Sequence, residues 1–201
     1  MRITTGAVIG ARQLATVSGP PLAVPDPARL IHLQFRRFAG CPVCSLHLRS
    51  FASRHGELAA AGIREAAVFH APAAELRPQV TGLPFAVIAD PGKRLYAEFG
   101  VESARRALLD PRAWPAIARG LAASLIDVVR RRRPAPALRP HGGRFGLPAD
   151  FLIAPDGRVL AVKYGEHASD HWPVSEVLAL ARAAQDQHPA VPAPAAGPGG
   201  R

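Results

Sequence analysis

The sequence predicts an α/β domain built on a mixed sheet. Three observations carry that prediction: a strand–helix–strand pattern over residues 30–70, a Pro155-Asp156-Gly157 turn between two apolar runs, and an amphipathic stretch over residues 173–187. The chain has 201 residues, 48% hydrophobic and 20% charged, which suits one folded core rather than a disordered polymer. Aromatic residues are only 6% of the chain, so the expected core is aliphatic.

The first 25 residues hold Thr- and Val-rich stretches punctuated by Gly6, Gly10, Gly19 and Pro20-Pro21, the marks of a short β-hairpin. Leu30 to Phe35 reads as a buried strand. From Pro42 to about Ala61 the pattern turns helical, with Val43, Leu46, Leu48, Phe51, Ala52 and Leu58 on one broad apolar face. Pro42 fits a first helical turn, where its missing N–H costs nothing, and Gly62 closes the helix. Ile63 to His70 is a second strand, and the intervening helix is long enough for the two strands to run parallel.

Ala73 to Val80 is then a short helix, Leu83 to Ala89 a third strand, Asp90-Pro91-Gly92 a turn and Lys93 to Phe99 another helix ended by Gly100. In this helix Tyr96 and Phe99 are expected to face the core. A helical insertion occupies about residues 102–146, with a break expected at Trp114-Pro115, Trp114 serving as packing, and a basic run from Arg130 to Arg133. Ala149 to Ala154 and Arg158 to Tyr164 form the hairpin, and Pro173 to Gln187 the last helix. The domain thus spans 1–187, and the Pro/Ala/Gly tail of 188–201 is expected to be disordered.

The chemistry centres on Cys41-Pro42-Val43-Cys44. The two cysteines are the only ones, and a loop this short gains little from closure, so a structural staple is a poor explanation. Cys41 falls between a strand and the start of a helix, where exposed N–H groups and the positive helix end stabilise a thiolate. Arg36 and Arg37 add positive potential, although strand alternation lets only one of them point at the thiols. A thiolate at Cys41 is the nucleophile, and Cys44, one turn on, can resolve the product as an intramolecular disulfide. A zinc site would need two more ligands, and no second Cys-x-x-Cys is present. Pro148 stands immediately before an apolar strand; in thioredoxin folds, which this order of elements resembles, that place holds a cis-proline loop facing the Cys-x-x-Cys, and the resemblance implies a cis Leu147–Pro148 bond.

The stretch Leu33 to Cys44 resembles the peroxiredoxin-like branch of the alkyl hydroperoxide reductase/thiol-specific antioxidant (AhpC/TSA) superfamily. Asp90 to Tyr96, Phe99-Gly100-Val101 and Leu147 to Gly157 are similar to later segments of the same branch, so the resemblance spans about residues 25–187. It implies a thioredoxin-like fold, an attacking or peroxidatic Cys41 and a resolving Cys44. Typical members carry Pro-x-x-x-Thr/Ser-x-x-Cys. Here Gln34 stands at the Pro position and Phe38 at the Thr/Ser position, and Pro148 stands where an Arg precedes the closing strand, as in thioredoxins and the TlpA/ResA type. The groups that polarise a peroxide O–O bond are therefore missing, with Arg36 or Arg37 as the available substitutes.

The candidate site is Cys41 and Cys44, supported by Pro42, Arg36, Arg37 and Pro148, with no metal and no cofactor. The expected partners are a disulfide or hydroperoxide substrate and a cellular dithiol electron donor; a homodimer is compatible with the reading. The N-terminus lacks a signal-peptide h-region, and no apolar run is long enough to span a bilayer, so a cytoplasmic protein with no membrane partner is expected. The net charge of +10 and the Arg130–Arg133 run raise the alternative of a basic nucleic-acid or protein-binding module whose Cys-x-x-Cys is only a redox-sensitive or zinc-holding element. Nucleic acid is disfavoured, because aromatics for stacking are few and a basic helix end also suits the dipole. His167 and His171 are expected as surface or loop histidines, and Asp150 and Glu166 show no paired-carboxylate spacing.

Overall fold

The computed structural model describes residues 2–130 and 140–187. The Arg131–Arg133 part of the basic run and the 188–201 tail lie outside the described residues. An N-terminal hairpin pairs β1 (Arg12–Leu14) with β2 (Leu22–Val24) antiparallel. The main sheet follows with β3 (Leu30–Phe35), β4 (Ile63–Phe69), β5 (Ala86–Ala89), β6 (Ala149–Ile153) and β7 (Val159–Tyr164). Its order is β5-β4-β3-β6-β7, with β3, β4 and β5 parallel and β6 and β7 antiparallel. The mixed sheet expected from the sequence is thus present, and its helices flank it in a thioredoxin-like arrangement.

The connection from β3 to β4 is two helices rather than one: α1 (Pro42–Ser53) and α2 (His55–Ala60), broken at Arg54. Ser50 and Ser53 donate their hydroxyls to the carbonyls of His47 and Ser50, a local competition that loosens the end of a helix. Beyond β4 come α3 (Ala73–Val80), then β5 and α4 (Arg94–Glu98). The insertion holds α5 (Arg106–Leu109), a 3-10 turn at Pro111–Ala113 and α6 (Trp114–Val129). Its break falls just before Trp114, because Pro115 sits in the first turn of α6 and starts that helix instead of interrupting it. Trp114 is exposed and not packing for the insertion; its indole N–H donates to the Leu108 carbonyl. The last helix is α7 (Val174–Gln187).

Alternation in β3 sorts two very different faces. Ile31, Leu33 and Phe35 join Val68, Phe151, Tyr96 and Phe99 in an apolar core that also takes Leu22 and Val24 of the hairpin. His32 and Gln34 point the other way, under α1, into a fully buried polar stripe. His32 Nδ1 sits 2.8 Å from Glu65 Oε1, its Nε2 lies 3.3 Å from Asp150 Oδ1, and Gln34 bonds Glu65. Arg36 completes the stripe, donating to Gln34 Oε1 at 2.6 and 2.9 Å and to Asp150 Oδ1 at 2.5 Å. Two anions and two cations share this site, so the charges balance. Burial alone would push His32 down, but the charges and hydrogen bonds of Glu65 and Asp150 raise it to about 9. Burial opposes ionisation of Asp150 as well, yet Arg36 and His32 hold its carboxyl far below the usual carboxylate range.

Leu147–Pro148 is trans, contrary to the expected cis bond; the cis peptide among the described residues is Val24–Pro25. Backbone hydrogen bonds anchor the chain on both sides of Pro148: Leu147 N–H donates to Glu102 O at 3.0 Å and Gly165 N–H to Pro148 O at 2.9 Å. The intrinsic trans preference of about 0.5–1 kcal/mol then goes unopposed.

Asp150→Ala leaves two buried cations facing one carboxylate. It is expected to cost about 3–5 kcal/mol, read by urea unfolding at neutral pH. The stability that charged His32 contributes is full below its ordinary value of 6.5 and is lost as pH rises through about 9. The urea midpoint is therefore expected to fall over that window, and to fall less in His32→Gln.

Candidate active site

Cys41 occupies the N-cap of α1, with Pro42 in the first turn. Gly40 reaches this position with a φ of +74°, a left-handed conformation that lets the chain turn sharply from β3 into the helix. Cys41 Sγ accepts from the Cys44 backbone N–H at 3.4 Å. Both thiols are free and buried, with Cys41 1% and Cys44 4% exposed.

The two thiols differ sharply in acidity. Burial opposes a thiolate at Cys41, but the Cys44 thiol, the Arg37 charge and the backbone N–H groups of Cys44 and Val43 override it and lower the pKa to about 6. Burial pushes Cys44 well up, and so does the neighbouring Cys41; Arg37 opposes this only in part. At neutral pH the pair is one thiolate and one thiol.

The two arginines divide as alternation requires. Arg37 is the one directed at the thiols: its guanidinium is buried, and its Nε and Nη1 have no hydrogen-bond partner among the described residues. Arg36 turns to the polar stripe, where Nη2 also lies 2.8 Å from His47 Nε2. Since Arg36 can only donate, His47 Nε2 accepts and the proton resides on Nδ1. Pro148 sits at the start of β6, whose Ala149 pairs with Phe35, so it lies at the same end of the sheet as the cysteines.

Several residues near the site escaped the sequence reading. His47 on α1 stacks on His171 at 3.6 Å between ring centroids. His171, a loop histidine before the last helix as expected, is seated against the active-site helix. Burial, followed by the charge of Arg36, lowers both imidazoles, His171 to about 4, so the pair is neutral. His70, just after β4, donates from Nδ1 to His141 O at 3.2 Å, has no partner for Nε2 among the described residues and is held at about 4, chiefly by burial and then by Lys93. Tyr96 is core-facing as expected, and its hydroxyl ties the carbonyls of Arg36 and Val68 together beside the site.

α6 covers the cysteine turn. Gly120 lies directly on α1: a Cβ there would meet Pro42 C at 3.0 Å and Val43 N at 3.1 Å, and Arg49 of α1 pairs with Asp127 of α6. Beside this contact a cleft of about 430 Å³ opens between α1, α6 and the 169–173 loop, lined by Val43, Leu46, His47, Ala116, Arg119 and His171. Among the described residues no group of three or more His, Cys, Asp or Glu is arranged to hold a metal, and no helix is long and apolar enough to cross a membrane.

The sequence model of the AhpC/TSA antioxidant enzyme family matches residues 50–167, more than half of the chain. The chain belongs to this family. The match begins after Cys44, so the cysteine motif stands outside it. Among solved structures, the peroxidoxin BcpB of Mycobacterium tuberculosis is similar with a TM-score of 0.64 at 18% identity, covering 90% of this chain and 98% of that one. AhpC of Mycobacterium tuberculosis gives 0.63 at 15%, covering 94% and 96%. A putative thiol:disulfide interchange protein DsbE of Chlorobium tepidum gives 0.55 at 16%, covering 88% and 97%. At these identities the likeness shows a shared thioredoxin-like fold. No curated protein matches the sequence.

Alkylation of the reduced protein, followed against pH, is expected to show one thiol titrating near 6, and Arg37→Met to move that midpoint upward. Gly120→Ala is expected to push α6 off the cysteine turn. That should speed alkylation of Cys41 at saturating pH and lower stability by about 1–3 kcal/mol in a thermal melt.

Proposed function

We propose that this chain is a thiol-dependent oxidoreductase in which Cys41 attacks and Cys44 resolves. The observation that carries the reading is the opposed acidity of two adjacent thiols at the start of one helix. The Cys41 thiolate attacks one sulfur of a substrate disulfide. A Cys41–substrate bond forms, the substrate S–S bond breaks, and the departing thiolate takes a proton. The Cys44 thiol then loses its proton and attacks Cys41 Sγ. This closes the Cys41–Cys44 disulfide and releases the second substrate thiol, so the substrate gains two electrons and the protein loses two. A cellular dithiol donor restores both thiols by the reverse exchange. Raising the pKa of Cys44 suits the order, since Cys44 stays protonated until Cys41 has given up its negative charge.

Arg36 and Arg37 take different parts in this reading. Arg37 stabilises the Cys41 thiolate, whereas Arg36 is a positioning residue that ties the end of β3 to Asp150. Pro42 starts the helix, and Pro148 borders the approach to the sulfur. The cleft beside His47 and His171 offers an extended substrate a place next to the thiols.

Hydroperoxide reduction is a second reading, favoured by one observation: Arg37 Nε and Nη1 have no hydrogen-bond partner among the described residues. Such donors can polarise the O–O bond and stabilise the leaving alkoxide where Phe38 replaces a hydroxyl. Cys41 would then take the terminal oxygen as sulfenic acid, the alkoxide would leave as an alcohol after protonation, and Cys44 would condense with release of water.

Stopped-flow mixing of the reduced protein with a model disulfide and, separately, with hydrogen peroxide distinguishes the readings. Brisk disulfide exchange beside sluggish peroxide loss, both abolished in Cys41→Ser, is the expected result. Rapid peroxide consumption that collapses in Arg37→Met would establish the second reading instead. Thiols no faster than a free thiol toward either reagent would overturn both.

A further inference from the structure

We propose that the outer face of α6 pairs with α6 of a second copy of this chain, antiparallel and about a two-fold axis. The inner face of α6 is fully used: Gly120 lies on Pro42 and Val43, Asp127 is paired with Arg49, and Ala116 and Ile117 pack on the core beneath. The opposite face is apolar and in solvent. Trp114 is 58% exposed, Leu125 65% and Val129 72%, with Leu109, Leu121 and Ile126 also half exposed or more. A helix apolar all round is normally buried on every side. Exposed apolar patches of about several hundred Å² mark interaction sites, and each partner in a standard interface gives roughly 800 Å².

The order of side chains along the stripe identifies the occupant. An antiparallel two-fold axis between Leu121 and Ala122 sets each large side chain against a small one: Trp114 faces Val129 of the second copy, Leu125 faces Ala118, and Leu121 faces Ala122. Large-to-small apposition is what lets helix surfaces interdigitate, and an isologous interface needs this self-complementarity. The charges agree. The only charged residues of α6 are Arg119 and Asp127; Asp127 is turned inward, and in this register Arg119 falls opposite Ser124, so no like charges meet. A helix lying on an anionic lipid surface would want basic residues along both borders of the stripe. Among the described residues, the basic side chains bordering the stripe, Arg119 and Arg130, share one flank.

The test is the mass of the reduced full chain by sedimentation velocity over a range of concentrations, with Leu125→Glu alongside. The wild type is expected as two chains. Leu125→Glu, which buries two carboxylates at the centre of the proposed interface, should weaken association roughly 100-fold while Cys41 alkylates at an unchanged rate. Trp114 emission is an independent reading that needs no variant: it should shift to the red as the wild type is diluted, while buried Trp172 holds its own contribution constant. A single-chain mass at the highest concentration overturns the proposal. So does a dimer indifferent to Leu125→Glu, and so does a monomer that binds phosphatidylglycerol vesicles through the same face.

Discussion

The ion pair between Arg36 and Asp150 is the contact on which the site depends. It joins the residue just after the central strand to the antiparallel strand β6 beside it, at the end of the sheet where the chain leaves for α1. A buried pair of this kind costs desolvation that only full hydrogen bonding repays. Here Gln34, Glu65 and His32 add further hydrogen bonds and ion pairs, and the stripe holds opposite charges in equal number. With Arg36 held beneath α1, the next side chain has to project to the other side. Arg37 therefore leaves the stripe, and its charge favours the Cys41 thiolate.

Acidity then follows from position. One thiol receives helix N–H groups and a guanidinium; the other is buried behind the first and receives its negative charge. Neutral histidines surround the pair, because burial and the nearby cations disfavour imidazolium at His47, His70 and His171. The positive charge at the site is thus concentrated in Arg37, with no competing imidazolium to share the thiolate. α6 packs on the turn through Gly120, which lies against Pro42 and Val43.

Much of this framework was legible in the sequence. Leu30–Phe35, the helix opened by Pro42, and the hairpin around Pro155-Asp156-Gly157 carry local signals that tertiary context did not override. The Cys-x-x-Cys was legible for the same reason. The choice between Arg36 and Arg37 was not, because alternation says that they diverge and not which way each goes. The polar stripe left one trace, the His32/Gln34 alternation inside an apolar strand, but its acidic members come from residues 65 and 150, and only strand register brings them together. Trp114 misled for a related reason. An apolar residue announces that it will be covered, whereas nothing local says whether the cover comes from its own chain.

The account stands most directly on which sulfur forms the first covalent bond. Cys44→Ser would be mixed with an excess of a model disulfide at neutral pH and the adduct located by peptide mass mapping. Stoichiometric labelling of Cys41, with Cys44 in the converse Cys41→Ser protein left unlabelled, is the predicted result. Preferential labelling of Cys44, or equal labelling of the two single-cysteine proteins, would contradict it.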